Sequence, residues 1–200
     1  MCLDEFDKQF YNEGYKFVVG VDEAGRGPLA GPVYAAAVIL PEDFYIPEIN
    51  DSKKLTEKKR EMLFDIIIEN ALSYSIESVN SDVIDEINIL NATLLAMKNA
   101  VCSLKLKPDL AIVDGNKTKD LPVEARCIIK GDAKSQSIAA ASILAKVARD
   151  KYCREHLDVK YPEYNFSKHK GYGTKLHIEK LKEFGPCKEH RKTFLKKILD

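Results

Sequence analysis

The segment that most restricts the fold is GVDEAGRGPLAGP, at positions 20–32. A β-branched apolar run, KFVVGV, leads into it at 16–21, and a second apolar run, VYAAAVIL, follows it at 33–40. Such runs are typical of buried strands, and the glycine- and proline-rich connection between them is short. The pattern therefore predicts two adjacent antiparallel strands. It also puts two carboxylates, Asp22 and Glu23, where the first strand ends.

Beyond these strands, the hydrophobic pattern predicts an α/β chain without internal repeats. Further strands are expected at 74–79, 109–113 and 127–129. Helices are expected at 56–69, capped by Thr56, at 81–104, with a break near Asn88, at 135–155 and at 174–184. The side chains expected to face the core from the first two helices are Met62, Leu63, Ile66 and Ile67, followed by Ile87, Leu90, Leu94, Leu95 and Met97.

The composition is that of an ordinary globular protein, with 200 residues of which 45% are hydrophobic and 31% are charged. No apolar run approaches the roughly 20 residues of a membrane span, and the acidic N-terminus is unlike a signal peptide. The five cysteines are odd in number and scattered, which favours reduced thiols. We therefore expect a cytoplasmic protein without membrane association. No interface stripe indicates an oligomer, so we expect a monomer.

The net charge is zero, which argues against a general nucleic-acid binder, but the charge is unevenly distributed. Residues 160–200 contain 11 Lys and Arg against 5 Asp and Glu, so this segment carries +6 and the rest carries −6. A metal-binding body with a phosphate-facing C-terminal surface fits this pattern, although a solvated basic helix explains the charge alone more simply. We predict a domain at 1–160 and a basic helical lobe at 161–200 packed on it.

Four acids stand at the ends of predicted strands or just after them: Asp22, Glu23, Asp114 and Asp132. In an open sheet, strand ends that are distant in sequence can converge at one edge. Crowded carboxylates repel each other, and hard divalent cations with oxygen ligands supply the missing counter-charge. A single Asp after a strand more often caps a helix or starts a turn. The residues alone therefore leave both a metal site and a set of structural acids open.

Five blocks of the sequence resemble the ribonuclease HII family. They are GVDEAGRGPLAGPVYAAAVIL, DSKKLTEKKRE, IVDGN, KGDAKSQSIAAASILAKVARD and YPEYNFSKHKGYGT. The resemblance covers about residues 16–194, with the blocks in the expected order. It implies a ribonuclease H-like fold, in which a mixed β-sheet is flanked by helices and followed by a small helical C-terminal lobe.

The resemblance also implies an activity. The family cuts the RNA strand of RNA–DNA hybrids and incises duplex DNA on the 5′ side of embedded ribonucleotides, leaving 5′-phosphate and 3′-hydroxyl ends. By motif, the four acids would be catalytic residues that bind two Mg²⁺ or Mn²⁺ ions, with Asp22 bridging them. The expected partners are therefore RNA–DNA hybrids and duplex DNA that contains ribonucleotides.

Seven residues are candidates for substrate binding: Gly25, Arg26, Gly27, Ser52, Lys53, Lys54 and Tyr172. The family resemblance implies that the glycine-flanked turn works with the tyrosine to sense a ribose 2′-hydroxyl, which requires close approach of the backbone. Residues 52–54 precede a helix and suit a phosphate. The alternatives are a packing aromatic for Tyr172, a solvated lysine pair at 53–54, and a turn-bracing role for Arg26.

Three further features have structural interpretations. Arg149 and Asp150 are expected to form an internal ion pair rather than part of the site. The spacings Cys153…His156 and Cys187…His190 could indicate zinc, but coincidence is the preferred interpretation. Thr193 stands where the family has a serine, and both residues carry a hydroxyl.

Three other functions fit the sequence less well. Ribonuclease HIII normally carries an extra N-terminal domain, and only about 15 residues precede the first predicted strand here. A hybrid-binding module without catalysis would not need all four acids. A transferase or integrase on the same fold would lack the turn and tyrosine that sense a 2′-hydroxyl. The C-terminus lacks the paired aromatics of a clamp-binding peptide, so no sliding-clamp partner is predicted.

Overall fold

The computed structural model describes residues 3–49 and 55–199. Within these residues, the central sheet contains β1 (Val18–Ala24), β2 (Val33–Ile39), β3 (Ser73–Val79), β4 (Leu110–Asp114) and β5 (Glu124–Ile128). The order across the sheet is β3-β2-β1-β4-β5. β2 is antiparallel to both β1 and β3, whereas β4 is parallel to both β1 and β5. The predicted mixed sheet and its antiparallel start are confirmed.

The described helices are α1 (Leu3–Asn12), α2 (Glu57–Asn70), α3 (Ser81–Cys102), α4 (Gln136–Tyr152), α5 (Asp158–Lys160), α6 (Phe166–His169), α7 (Lys175–Phe184) and α8 (Lys192–Leu199). A π-helical turn, Cys153–Leu157, joins α4 to α5, and 3-10 turns cover Gly131–Ala133 and Pro162–Tyr164. The hydrophobic pattern predicts neither α1 nor α8, and it begins β5 three residues late. None of the described helices is long and apolar enough to cross a membrane.

Helices cover both faces of the sheet. On one face, α2 and α4 form a core with the sheet that includes Leu63, Ile67 and the alanines of α4. On the other face, α3 packs against β1 and β2 through Ala92, Ala96 and Ala100. Small residues let a helix approach a sheet closely, and the apolar area buried on both faces is the main source of stability.

Two local predictions are confirmed and two core assignments are wrong. Thr56 caps α2, because its hydroxyl accepts the backbone N–H of Lys59 at 3.3 Å. Asn88 breaks the regular geometry of α3, with φ of 66° and ψ of 164°. Met62 is 46% exposed and Leu95 is 36% exposed, although both were expected in the core. Because α3 meets the sheet through its alanines, Leu95 is left at the edge of the contact.

The predicted lobe contains α6, α7 and α8, and it contacts the glycine-rich loop that follows β1. The backbone N–H of Leu29 donates to Gly171, and that of Gly31 donates to Glu189, at 2.8 and 2.9 Å. The backbone N–H of Arg191 donates to Leu29 at 2.8 Å. The domain boundary at residue 160 stays a prediction, but these bonds link the segment beyond it directly to the loop after Glu23.

Close contact between β1 and α4 depends on Gly20. A Cβ built on Gly20 would lie 2.1 Å from the carbonyl carbon of Ser137 and 2.5 Å from the backbone nitrogen of Ile138. Both neighbours are backbone atoms, which no side-chain rotation can move aside. Gly20 therefore sets the distance between the N-terminal end of α4 and the strand that carries Asp22.

Replacing Gly20 with alanine is expected to lower the free energy of unfolding by about 2–4 kcal/mol, since the helix must move away from the strand. Urea denaturation measures the change. Gly27→Ala is the matched control, because its Cβ would meet the nearest atom, on Tyr172, at an ordinary 3.8 Å. Equal stability of the two variants would contradict the packing role of Gly20.

Candidate active site

The register of β1 and β4 brings Asp22 and Asp114 to the same edge of the sheet. Val21 is paired with Val113 in a parallel ladder, so the next residues of both strands are neighbours. Asp22 is buried, with 5% exposure, and Asp114 is half-buried. The N–H of Glu23 and the hydroxyl of Ser142 both donate to the Asp22 carboxylate. Strand pairing therefore brings acids 92 positions apart in the chain close together.

The turn after β5 meets this edge of the sheet at Gly131, the residue before Asp132. Lys130 adopts a left-handed conformation, with φ of 56°, and the chain then enters the 3-10 turn Gly131–Ala133. The N–H of Gly131 donates to Oδ1 of Asp114 at 2.6 Å. Asp132, 6% exposed, is the residue directly after this contact. The turn thus anchors the residue before Asp132 to the Asp114 carboxylate.

The acids at this edge disfavour one another's charge. Burial raises the pKa of Asp22 well above its ordinary value, and the charges of Glu23 and Asp114 raise it further. Burial also raises the pKa of Glu23, and the charge of Asp114 adds to this, although the opposite charge of Arg26 acts against the shift. Like charges held together in a buried place have an unfavourable energy that a cation would relieve.

The donor set fits a hard divalent cation. The side chains are carboxylates, which are the ligands that Mg²⁺ and Mn²⁺ prefer, and burial together with neighbouring negative charge raises the pKa of Asp22 and Glu23. Across residues 3–49 and 55–199, however, no three His, Cys, Asp or Glu side chains are already arranged to hold an ion. Binding would therefore require side-chain movement at this edge.

Arg191 holds the loop that follows the acids. Its guanidinium is fully buried and donates to the carbonyl oxygens of Gly25, Arg26 and Gly31 at 2.7–3.0 Å. A guanidinium has five N–H donors in a rigid plane, so one side chain can satisfy several carbonyls at once. These hydrogen bonds fix the backbone of the turn from its inner side.

Arg149 acts on the same loop from α4, and the predicted Arg149–Asp150 ion pair is wrong. Arg149 donates to the carbonyl oxygens of Pro32, Ala30 and Lys170 at 3.0–3.3 Å. Asp150 instead pairs with Lys146, at 2.8 Å. Adjacent residues of a helix point in different directions, so sequence proximity does not make them partners.

Gly25 has a conformational and a steric reason to be glycine. Its φ is +102°, a region that other residues rarely adopt, and a Cβ there would lie 2.2 Å from Nε of Arg149. The close passage of Arg149 under the turn therefore requires the absence of a side chain at this position.

Tyr172 lies beside the loop and faces solvent in part. Its side chain is 40% exposed, which leaves open the alternative of a partly buried packing aromatic. The ring centroid is 5.7 Å from Nζ of Lys146 and 5.6 Å from Cζ of Arg149. A Cβ on Gly27 would lie 3.8 Å from the ring. The turn at 25–27 and Tyr172 are thus adjacent, as expected from the family resemblance.

Two clefts meet at Glu23. One, of about 370 Å³, is lined by residues that include Gly25, Arg60, Ser142, Lys146 and Tyr172. The other, of about 250 Å³, is lined by residues that include Arg26, Asp114, Asn116 and Lys117. Glu23 contributes to both linings. An extended ligand that occupied both clefts would therefore pass over the acidic edge.

Sequence reasoning missed several of these residues. Arg60, Ser142 and Lys146 line the larger cleft, and Ser142 also touches Asp22. The spacing of four residues between Ser142 and Lys146 places them on one face of a helix, and this spacing could have indicated that both side chains line the same cleft. Arg191 was missed because its partners are carbonyls some 160 positions away.

The remaining candidates for phosphate or zinc binding have the following positions. Arg26 is about half exposed and forms an ion pair with Glu23 at 3.4 Å. Ser52, Lys53 and Lys54 lie outside the described residues. Cys187 Sγ lies 3.1 Å from Nδ1 of His190, whereas Cys153 is buried and His156 is exposed.

Asp22→Asn is expected to stabilise the metal-free protein at neutral pH. The raised pKa means that the fold opposes ionisation of this carboxyl, so the folded state loses stability as pH rises through that pKa. Removing the charge should raise the free energy of unfolding by about 1–2 kcal/mol, or the melting temperature by roughly 2–8 °C.

Thermal melts in chelator, at neutral and acidic pH, test this expectation. The gain should shrink as pH falls toward the ordinary carboxyl pKa and vanish below it, where Asp22 is protonated in both the folded and the unfolded state. Asp65→Asn, at an exposed position of α2, is the matched control. A lower melting temperature for Asp22→Asn at neutral pH would show that the folded state does not disfavour the ionised form of Asp22.

Comparison with known proteins identifies the family of this chain. The family model described as Ribonuclease HII matches residues 19–198. The ribonuclease HII of Endomicrobium trichonymphae is 62% identical over 190 residues, which cover 94% of this chain and 90% of that protein. The ribonuclease HII of Caldicellulosiruptor bescii is 60% identical over 195 residues, which cover 98% and 94%. The crystal structure of ribonuclease H2 from Pyrococcus horikoshii OT3 matches with a TM-score of 0.74 and 32% identity, over 92% of this chain and 97% of that one. The chain belongs to the ribonuclease HII family.

Proposed function

We propose that Asp22, Glu23, Asp114 and Asp132 are the catalytic residues with which this endoribonuclease hydrolyses the RNA strand of RNA–DNA hybrids. The same residues incise duplex DNA on the 5′ side of an embedded ribonucleotide and leave 5′-phosphate and 3′-hydroxyl ends. The observation that carries the proposal is the pairing of β1 with β4, which brings Asp22 beside Asp114, next to Glu23, where the two clefts meet.

The ribonuclease HII family is metal-dependent, and we propose that the four acids bind Mg²⁺ or Mn²⁺, with two ions present when substrate is bound. Bound there, the cations would lower the pKa of the attacking water and stabilise the leaving oxygen. The chain's own contribution is to hold the carboxylates together. Ser142 and the N–H of Glu23 orient Asp22, and the N–H of Gly131 orients Asp114.

Recognition of the ribose is proposed for the turn at Gly25–Gly27 and for Tyr172. The 2′-hydroxyl is small and distinguishes RNA from DNA only at short range. Arg191 and Arg149 occupy the inner side of the loop, so the backbone of the turn is presented outward. The half-exposed ring of Tyr172 beside Gly27 can pack on the sugar of the next nucleotide, which favours an RNA-to-DNA junction.

Phosphate contacts are proposed for Arg26 and for Ser52, Lys53 and Lys54. Lys146 and Arg60 line the cleft that leads to Tyr172, and they add positive charge where a nucleic-acid backbone would pass.

We also propose a monomer in the cytoplasm. The odd number and scattered positions of the five cysteines in the sequence support this compartment, since they favour reduced thiols.

Cleavage of a DNA duplex with one embedded ribonucleotide tests the proposal. With Mg²⁺ or Mn²⁺, the protein should incise on the 5′ side of that ribonucleotide, and chelator should abolish cutting. Asp22→Asn should lower kcat by at least about 1,000-fold, the scale of losing a central catalytic group. Retained binding of the duplex without any cleavage by the unmodified protein would favour a hybrid-binding module instead.

Tyr172→Ala tests junction recognition separately. It should lower kcat/KM on the single-ribonucleotide duplex by about tenfold more than on a uniform RNA–DNA hybrid, because loss of the ring removes a contact of about 1–3 kcal/mol with the nucleotide. Tyr172→Phe is the matched control and should keep most of the activity, since it keeps the ring. Equal losses on both substrates would remove the role given to Tyr172 and leave the catalytic assignment intact.

A further inference from the structure

Three of the four histidines are buried together beneath Tyr172. His169, His177 and His190 are 7%, 0% and 2% exposed. The rings of His169 and His177 stack, with centroids 4.2 Å apart and planes 14° apart. The fourth histidine, His156, is exposed. Nothing in the proposed reaction uses the buried cluster, although its members surround a proposed recognition residue.

The backbone around His190 determines which of its ring nitrogens carries the proton. The backbone N–H of Cys187 can only donate, and it lies 3.0 Å from Nδ1 of His190. Nδ1 is therefore an acceptor, so in a neutral ring the proton is on Nε2. That nitrogen lies 3.0 Å from Nε2 of His177. His190 thus donates a hydrogen bond to His177.

The same reasoning applies to His177. Its Nε2 accepts from His190, so its proton is on Nδ1. Nδ1 lies 2.9 Å from the carbonyl oxygen of Tyr172, which can only accept. Three hydrogen bonds therefore run in one direction, from Cys187 through His190 and His177 to Tyr172. We refer to these two histidines and their three hydrogen bonds as the histidine relay.

His169 holds the other polar group of the Tyr172 backbone. Its carbonyl oxygen accepts the N–H of Tyr172 at 2.9 Å. Its Nδ1 accepts the N–H of Gly171 at 3.2 Å, which places the ring proton on Nε2, facing the carbonyl oxygen of Tyr164 at 2.8 Å. Both backbone polar groups of Tyr172 are therefore bound to buried histidine residues.

The relay requires neutral rings, since a doubly protonated imidazole has no acceptor. Burial lowers the pKa of both His177 and His190 to about 4, and each ring's proximity to another histidine contributes. Burial also lowers the pKa of His169. At neutral pH the rings are uncharged and the directions of the three bonds are maintained.

The far end of the relay is joined to the loop after the catalytic acids. Arg191 follows His190 directly, and its guanidinium binds the carbonyl oxygens of Gly25, Arg26 and Gly31. The relay therefore spans the space between the turn at Gly25–Gly27 and Tyr172, the two parts of the proposed device for ribose recognition.

We propose that His177 and His190 are positioning residues that hold Tyr172 in register with the turn at Gly25–Gly27 and thereby set the preference for an RNA-to-DNA junction. The inference rests on the proposed role of Tyr172. It adds that this role depends on a directional hydrogen-bond chain in the interior, through groups that do not touch the substrate.

Nitrogen-15 NMR on the unmodified protein tests the relay itself. Long-range proton–nitrogen correlations at neutral pH distinguish the two neutral tautomers of each ring. The relay requires the Nδ1–H form of His177 and the Nε2–H forms of His169 and His190. The Nε2–H tautomer of His177, or a positively charged ring in the cluster, would overturn the inference without any substitution.

A double-mutant cycle tests the effect on recognition. The readout is the junction preference, defined as kcat/KM on the single-ribonucleotide duplex divided by kcat/KM on a uniform hybrid. His177→Leu should lower this preference by about tenfold, the effect of one lost hydrogen bond. His177→Asn should restore most of it, because the amide N–H can replace Nδ1–H. His156→Leu is the matched control and should change nothing.

The cycle separates the inference from the proposal on which it rests. In a Tyr172→Ala background, His177→Leu should have no further effect on the junction preference, since it acts through that ring. If His177→Leu costs the same preference in both backgrounds, the positioning role is wrong. If Tyr172→Ala alone leaves the preference unchanged, the recognition role of Tyr172 fails and the positioning role fails with it. Should His177→Leu fail to fold, the tautomers and His177→Asn decide the matter.

Discussion

The burial of Asp22 beside the negative charges of Glu23 and Asp114 is the constraint on which the rest of the site depends. Asp22 and Asp114 lie at the ends of two parallel strands whose pairing cannot be relaxed without disrupting the centre of the sheet. Gly20 brings α4 against β1, and Ser142 of α4 then reaches the carboxylate of Asp22. The same packing that excludes water from Asp22 also raises the energy of its charged form. The buried carboxylate at this edge lowers the free energy of unfolding. The apolar contacts between the sheet and its flanking helices compensate for this loss.

The second constraint is the fixed shape of the loop after the acids. Short glycine- and proline-rich loops have many backbone carbonyls and few side chains to stabilise them. Here the carbonyls are bound by two buried arginines, Arg149 from α4 and Arg191 from the segment after α7. Residues that are distant in sequence thus hold a surface made almost wholly of backbone. The lobe beyond residue 160 contributes to the site through this support as well as through Tyr172.

Much of the fold could be predicted from the sequence, because the decisive signals are local. The β-branched runs around positions 16–40, the cap at Thr56 and the break at Asn88 follow from the preferences of neighbouring residues. Asp22 and Asp114 could be proposed as neighbours because both follow apolar strands. Asp132 could be added because it follows the short strand predicted at 127–129, whereas the catalytic role of all four acids depended on the family resemblance.

The remaining features could not be predicted because they depend on contacts distant in sequence. Arg149 and Asp150 are adjacent in the chain, which favours an ion pair, yet the guanidinium binds carbonyls of another segment. Met62 and Leu95 have the spacing of core residues but are exposed on their helices. The direction of the hydrogen bonds among the buried histidines can be assigned only from the distances between ring nitrogens and backbone groups, which the sequence does not contain.

Calorimetric titration with Mn²⁺ in buffers of different ionisation enthalpy tests the central claim most directly, since it counts the protons that binding releases. If burial and repulsion hold a proton on the acidic edge, cation binding at mildly acidic pH must displace it. The account predicts net proton release by the unmodified protein and a much smaller release by Asp22→Asn. Mn²⁺ binding by the unmodified protein without proton release would show that the carboxylates are already fully ionised, and would contradict the account.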